Sequence, residues 1–458
     1  MDIQPVFEAL KAGRDRGLAL LFEFLRFPTV SAQSAHDDDL RRCAGWLVEL
    51  ARSMGVEATL LETGRHPAVY AETGPADGPA TVLVYGHYDV QPVGDEASWA
   101  SAPFAPEIRD GAIYARGAAD DKGQLLTHLL AVQAWRAVHG DVPIRVKFLI
   151  EGEEEIGSPN LGALVRAQRE RLACDYIAIS DTAKVDATTP GLTVSTRGLV
   201  YKQITVRGPK KDLHSGVYGG TITNPLNALA RILGALRDDR NRVSIRGFYD
   251  DVRVLSEAER QALNARPFDE AAFLASTGAP GLIGEAGYTT VERRGVRPTL
   301  DVNGVLGGYT GEGASTVIPA TAMAKVSMRL VVDQDPARIS RCFDAAVRAA
   351  TPAGVDVAIE TLSECGPYEA PPDSPGVRAA LRAIEAGYGQ PAGIIREGAT
   401  LPILPLFKAE LGADSLLLGF CQTDCNAHGA NEFFHVADLW AGARSVAALW
   451  AELAGLVR

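Results

Sequence analysis

The stretch "VKFLIEGEEEIGS", Val146 to Ser158, decides how the chain is read. A short run of apolar and β-branched residues, Val146 to Ile150 with only Lys147 among them, stops at four glutamates, Glu151, Glu153, Glu154 and Glu155. An apolar run of this length bounded by polar residues is the pattern of a buried strand. Like charges so close together repel, and they must be solvated or neutralised by a cation.

Working outward, the same pattern recurs. "ATVLVYGH" ends at His87, and "CDYIAISDT" ends near Asp181. Between two of these strands, Leu125 to Val138 has helical spacing. Strands alternating with helices indicate an α/β domain with a largely parallel sheet. Ligands in such sheets collect at the carboxyl ends of the strands, where the polar residues cluster here.

The texture changes near residue 193. "YKQITVRG" and "AKVSMRLVV" have the alternation of amphipathic strands, while Pro225 to Leu236 and Pro336 to Ala350 have helical spacing. That set suits a small α+β domain with helices on one face of its sheet. About residues 238 to 298 form a long irregular insertion rich in Arg, Asp and Gly. After residue 373 the first pattern resumes, with "DSLLLGF" as another strand. The expected organisation is a first domain in two parts, residues 1–192 and 373–458, interrupted by an inserted domain, residues 193–372.

At 458 residues the chain is past the size at which single cores divide, which agrees with two domains. Its net charge of −12 argues against nucleic acid as a partner, because basic surface supplies most of that affinity. The N-terminal stretch reads as amphipathic helix, since Glu23 and Arg26 interrupt what would otherwise resemble a secretory segment. No apolar run is long enough to cross a bilayer. Six scattered cysteines show no disulfide-scaffold spacing. A soluble, cytoplasmic protein is expected.

Several strand ends carry metal-ligand types. His87 and Asp89 stand two apart in "YGHYDVQP", where a neutral imidazole could bind a metal and the carboxylate could orient it. The alternative is an ordinary polar pair at a strand end. Asp120 and Asp121 in "YARGAADDKGQ" precede a helix and could equally cap it. Asp181 could be a turn former. "DCNAHGANEFF" offers His428; Cys421 and Cys425 nearby lack the fourth partner of a structural zinc site. His128 on the apolar helix and His435 in "FFHVAD" read as packing or surface residues, and His36, His66 and His139 have no supporting pattern. Co-occurrence favours chemistry: four strand-end sites and a fifth in the returning segment supply about the ligands that two divalent cations need.

With these segments in order, the chain resembles the di-metal hydrolases that include carnosinase-type dipeptidases, glutamate carboxypeptidase, aminoacylase and succinyl-diaminopimelate desuccinylase. The resemblance runs from "LFEFLRFPTVS" through "YGHYDVQP", "ARGAADDKG", "EGEEEIGS", "ISDT", "KDLHSGVYGG" and "GASTVIPATAMAKVSMRLV" to "REGATLP" and "NAHGANE". It implies a di-zinc aminopeptidase-like α/β catalytic domain with a mixed, largely parallel sheet. The inserted domain would be a ferredoxin-like α+β lid that also dimerises.

The resemblance also implies roles. His87, Asp120, Glu155, Asp181 and His428 would bind two divalent metals per subunit, zinc first, with manganese or cobalt as alternatives. Asp120 would bridge the ions and be followed by a cis peptide. Asp89 would support His87. Glu154 would be the base that activates a water between the metals and later protonates the leaving amine. His214 would stabilise the oxyanion, reaching across a homodimer interface. Arg329, which by itself reads as a strand-surface charge, would bind the substrate carboxylate, with Glu397 and Thr400 as further contacts.

The lid and insertion segments resemble the dipeptidase branch most, and within it the cytosolic non-specific dipeptidases, which implies small peptides with free termini. An N-acyl-amino-acid amidohydrolase or carboxypeptidase of the same family is the alternative, and a non-catalytic binding protein a more distant one. Two positions depart from related dipeptidases: Ser374 stands where many have histidine, and Ala399 where many have glycine.

Overall fold

The computed structural model describes residues 2–265 and 268–456. The chain divides into two compact units: Met1–Val194, Ala370–Ile395 and Leu406–Arg458 form one, and Ser195–Glu369 with Arg396–Pro405 form the other. The sequence pattern did not separate the short segment Arg396–Pro405 from the C-terminal part of the first domain.

In the first unit, a large mixed sheet contains β1 (Glu57–Leu61), β2 (Ala68–Thr73), β3 (Thr81–His87), β4 (Arg145–Glu151), β5 (Tyr176–Ile179), β6 (Gly191–Thr196) and β7 (Asp414–Gly419). Their order is β1-β2-β4-β3-β5-β7-β6. The centre is parallel: β4 pairs with β3, β3 with β5, and β5 with β7 in the same direction. The flanking β2 and β6 run antiparallel to their neighbours. Strands buried on both faces have no alternation to show, which is why β3 and β4 read as near-continuous apolar runs.

The parallel core sets the position of the polar residues. Register pairs His87 with Glu151, so β3 and β4 end side by side, and β5 delivers Asp181 two residues beyond its end. Helices α1 (Lys122–His139), α2 (Pro375–Tyr388) and α3 (Val436–Ala454) cover the sheet, with α3 packed on both others. Trp135 and Trp450 are fully buried. Gly86 lets α1 begin close to β3, because a Cβ there would lie 2.7 Å from Asp121 Oδ2. The N-terminal segment is two helices, Gln4–Ala12 and Arg14–Leu25, separated at Gly13.

The second unit contains a four-stranded antiparallel sheet ordered Thr299–Gly307, Thr321–Leu330, Gly198–Arg207, Asp356–Cys365. Helices Pro225–Ala235 and Pro336–Ala350 follow the first and third of these strands in chain order, a ferredoxin-like β-α-β-β-α-β arrangement. Ile232, Phe343 and Val347 from the helices meet Val200, Ile204, Val326 and Met328 from the sheet in one apolar core.

The region 238–298 is more regular than its composition suggests. It contains helices Glu257–Leu263, Glu270–Thr277 and Thr290–Gly295. Two of them begin with complete capping boxes, Ser256 with Glu259 and Thr289 with Glu292. Both boxes are legible as S-x-x-E and T-x-x-E in the sequence.

Candidate metal centre

The carboxyl ends of β3, β4 and β5 and the turn before α1 converge on one acidic cluster. Two groups of ligand atoms form within it: His87, Asp120 and Asp181, and Asp120, Glu155 and His428; in each the atoms lie within 4.8 Å of one another. Asp120 belongs to both. Its Oδ1 lies 3.1 Å from His87 Nε2 and its Oδ2 lies 3.0 Å from His428 Nε2. His87 Nε2 is also 3.8 Å from Asp181 Oδ2, and His428 Nε2 is 3.3 Å from Glu155 Oε2. The Asp120–Asp121 peptide is cis.

The protonation pattern of His87 fits a metal. Its Nδ1 lies 3.0 Å from the Asp89 backbone carbonyl, which can only accept, so Nδ1 carries the proton. In the neutral ring, Nε2 then presents a lone pair towards two carboxylates. That buried nitrogen makes no hydrogen bond of acceptable geometry among the described residues. Burial opposes a charge on this ring, but Asp120 and Asp89 hold its pKa well above the ordinary imidazole value, so the position favours a cation, whether a proton or a metal ion.

Charge leads to the same conclusion. Burial, with the neighbouring Asp120 charge, pushes Asp181 far above the ordinary carboxylate range. Burial also raises Glu154 to about 7, helped by Glu155, Asp120 and Asp89 and opposed by His87. His428 is raised to about 10 through its contacts with Asp120 and Glu155. Carboxylates that resist ionising and histidines that favour a charge are the response of a crowded acidic cluster to taking up positive charge. Carboxylate oxygen and imidazole nitrogen suit zinc and similar divalent ions.

Asp89 supports the site differently from the sequence expectation. The closer acceptor for His87 is its backbone oxygen; its carboxylate oxygen is 3.5 Å from Nδ1. The carboxylate instead accepts from Glu154 N at 3.2 Å and Glu155 N at 3.0 Å. It therefore holds the turn that presents both glutamates. The capping alternative for Asp121 also fails: it stands at the N-cap of α1 without a side-chain cap bond, and it is buried.

Two polar residues at the centre had no individual reading in the sequence. Gln91 Nε2 donates to Glu155 Oε2 at 2.8 Å and fixes that carboxylate. Glu432, four residues after His428, is buried and accepts from Arg116 Nη1, Gly117 N, Ala119 N and Asp120 N at 2.8–3.0 Å. Burial pushes its carboxyl up to about 7, but all four recorded contacts are donors, and these hold the ionised form. The donors are more than three hundred positions away in sequence, so no local spacing signals them.

Among the discounted histidines, His128 is buried with Nε2 2.8 Å from Ser180 Oγ. Cys421 Sγ bonds the Thr182 carbonyl, while His428 faces Asp120 and Glu155.

The expected substrate residues lie in the second unit. His214 Nδ1 accepts from Gly216 N at 3.0 Å, which places the ring proton on Nε2 as an available donor. Arg329 occupies the sheet face opposite the core, and its Nη1 donates to Thr400 Oγ1 at 2.6 Å. Glu397 Oε1 accepts from Gly398 N and Ala399 N. Arg197 was missed by sequence reasoning. Burial lowers its pKa to about 10, helped by the Arg329 charge, and its buried Nη1 has no acceptor among the described residues. In the first unit, Ser374 caps α2, its Oγ accepting from Val377 N at 3.3 Å.

Comparison with known proteins accords with this geometry. The chain is 30% identical to the Cys-Gly metallodipeptidase dug1 of Schizosaccharomyces pombe over 448 residues, covering 94% of each. The crystal structure of an M20 family metallo-carboxypeptidase, Sso-CP2 from Sulfolobus solfataricus, is 33% identical with a TM-score of 0.85, covering 96% of this chain and 99% of that one. Human carnosine dipeptidase 1 is 28% identical with a TM-score of 0.82, covering 99% of both chains. The family model described as Peptidase family M20/M25/M40 matches residues 83–452. By that match over most of its length, the chain belongs to peptidase family M20/M25/M40.

Proposed function

We propose that the chain is a metal-dependent dipeptidase that hydrolyses the amide bond of small unblocked peptides. The observation that carries this reading is the shared Asp120, whose two oxygens face two separate ligand clusters. Relatives named as metallodipeptidases support the substrate class. His87 and Asp181 would hold one divalent ion, Glu155 and His428 the other, and Asp120 both; zinc suits the donors, with manganese or cobalt as alternatives.

Metals held there lower the pKa of water and polarise a carbonyl. The remaining chemistry belongs to side chains. Glu154 is held in place through its backbone by Asp89, and no hydrogen bond among the described residues occupies its carboxylate. Its unoccupied carboxylate can take a proton from the attacking water and return it to the leaving amine. His214, protonated on Nε2, would donate to the developing oxyanion. Arg329, backed by Arg197 and oriented by Thr400, would receive the substrate carboxylate, with Glu397 shaping the adjoining turn.

A homodimer through the lid is part of this reading. Val302, Val305 and Leu306 are exposed on Thr299–Gly307, an edge strand of the second unit's sheet. A cytoplasmic setting is supported by six free cysteines. No helix among the described residues is long and apolar enough to cross a membrane.

A carboxypeptidase or N-acyl-amino-acid amidohydrolase is the second reading, favoured by the 33% identity to the metallo-carboxypeptidase. Purified protein assayed against dipeptides, longer peptides and N-acetyl amino acids separates the two. Hydrolysis of dipeptides that is lost with a chelator and restored by zinc, manganese or cobalt is expected. Turnover confined to blocked amino acids would overturn the dipeptidase assignment.

A further inference from the structure

The two ligand clusters are built from different kinds of parts. His87 ends a central parallel strand in register with Glu151, and Asp181 lies two residues beyond the end of another. His428 sits instead in a loop where it, Asn426 and Asn431 all have left-handed backbone, with φ of 64°, 58° and 58°. Its side chain is 58% exposed, so packing does little to hold it. Something else must keep His428 beside Asp120.

The contacts of Glu432 supply that link. Oε2 accepts from Arg116 Nη1 and Gly117 N at 2.8 Å, and Oε1 accepts from Ala119 N at 2.8 Å and Asp120 N at 3.0 Å. Its own carbonyl accepts from Ala115 N at 3.2 Å. The next residues, Phe433–His435, pair with Ala112–Tyr114. The chain carrying His428 is therefore tied directly to the turn that carries Asp120. Asn431 adds a second tie, accepting from Ala100 N and donating to Ser98 O.

We infer that Glu432 is a positioning residue that sets the distance between His428 and Asp120, making the Asp120–Glu155–His428 subsite depend on it more strongly than the His87–Asp181 side, which shares only Asp120. A carboxylate is required because all four of its partners donate. Glutamine keeps the shape but turns one end from acceptor to donor against N–H groups. The inference rests on the two-ion reading above.

The test titrates metal-free protein with zinc against a competing chromophoric chelator, resolving the two ions, with thermal melting of the metal-free form as a control. The wild type should bind two ions. His428→Ala identifies the ion that depends on the loop. Glu432→Gln should weaken that same ion by roughly 10- to 100-fold and the other, which shares only Asp120, by clearly less, while the metal-free form still melts cooperatively but at a lower temperature, because buried Arg116 loses its carboxylate partner. Equal weakening of both ions, or no weakening, would overturn the inference. Should Glu432→Gln fail to fold, Arg116→Gln decides by the same criterion: selective loss supports the link, and uniform or absent loss refutes it. A wild type that binds fewer than two ions would overturn the two-metal function, and this inference with it, a result distinct from two unperturbed ions in the variants.

Discussion

Glu151 and Glu153 differ from Glu154 and Glu155 although the four crowd one acidic stretch. Glu151 ends β4 inside the protein, and its Oε1 accepts from Tyr85 Oη at 2.5 Å and Ser158 Oγ at 2.8 Å. Glu153 is also buried, accepting from Thr63 Oγ1 and His66 N at 2.9 Å and from Asn160 Nδ2 at 2.8 Å. Glu154 and Glu155 follow in a short 3-10 turn, positioned by their backbone N–H groups on Asp89. The first pair spends its oxygens on the fold, and the second keeps them for the acidic cluster. Identical side chains thus take opposite roles because Glu151 and Glu153 turn into the protein, while the short turn that begins at Glu154 presents the next two to the cluster.

The comparison is broken most severely at Glu155. Glu155→Ala should remove one of two bound ions and reduce turnover to the limit of detection, measured by elemental analysis and dipeptide assay on one sample. Two retained ions would place Glu155 with the structural pair.

Glu151 should respond in stability rather than chemistry. Burial raises its pKa from 4.5 to about 8 in the folded state. Below 4.5 both folded and unfolded forms hold the proton, and the group has no effect. Between 4.5 and 8 the unfolded chain releases it first, so the native state loses stability as pH rises. Glu151→Gln keeps Oε1 as the acceptor for both hydroxyls and removes this penalty. In metal-free protein, the variant should gain on the wild type by up to about 1.4 kcal/mol per pH unit across that window. Denaturant unfolding at a series of pH values checks it, and a constant difference would contradict a buried, proton-bearing Glu151.

Much of this was legible in the sequence where strands announce themselves. The runs ending at His87, Glu151 and Asp181 are continuous enough to read as buried parallel strands, and their ends carry most of the acidic centre. The insertion near residue 238 was read as irregular because its helices are short and bury little, although its capping boxes were visible. Glu432 and Arg197 were not readable, because each acts through partners far away in sequence. Asp89 was half legible: spacing tied it to His87, but the carboxylate's bonds to the Glu154–Glu155 turn depend on how two loops meet.

The most direct test of the whole account is one sample of Glu154→Gln, measured for metal content and for dipeptide turnover. The account predicts two bound ions, as in the wild type, with kcat lower by roughly 100- to 10,000-fold. Full turnover in that variant would contradict it.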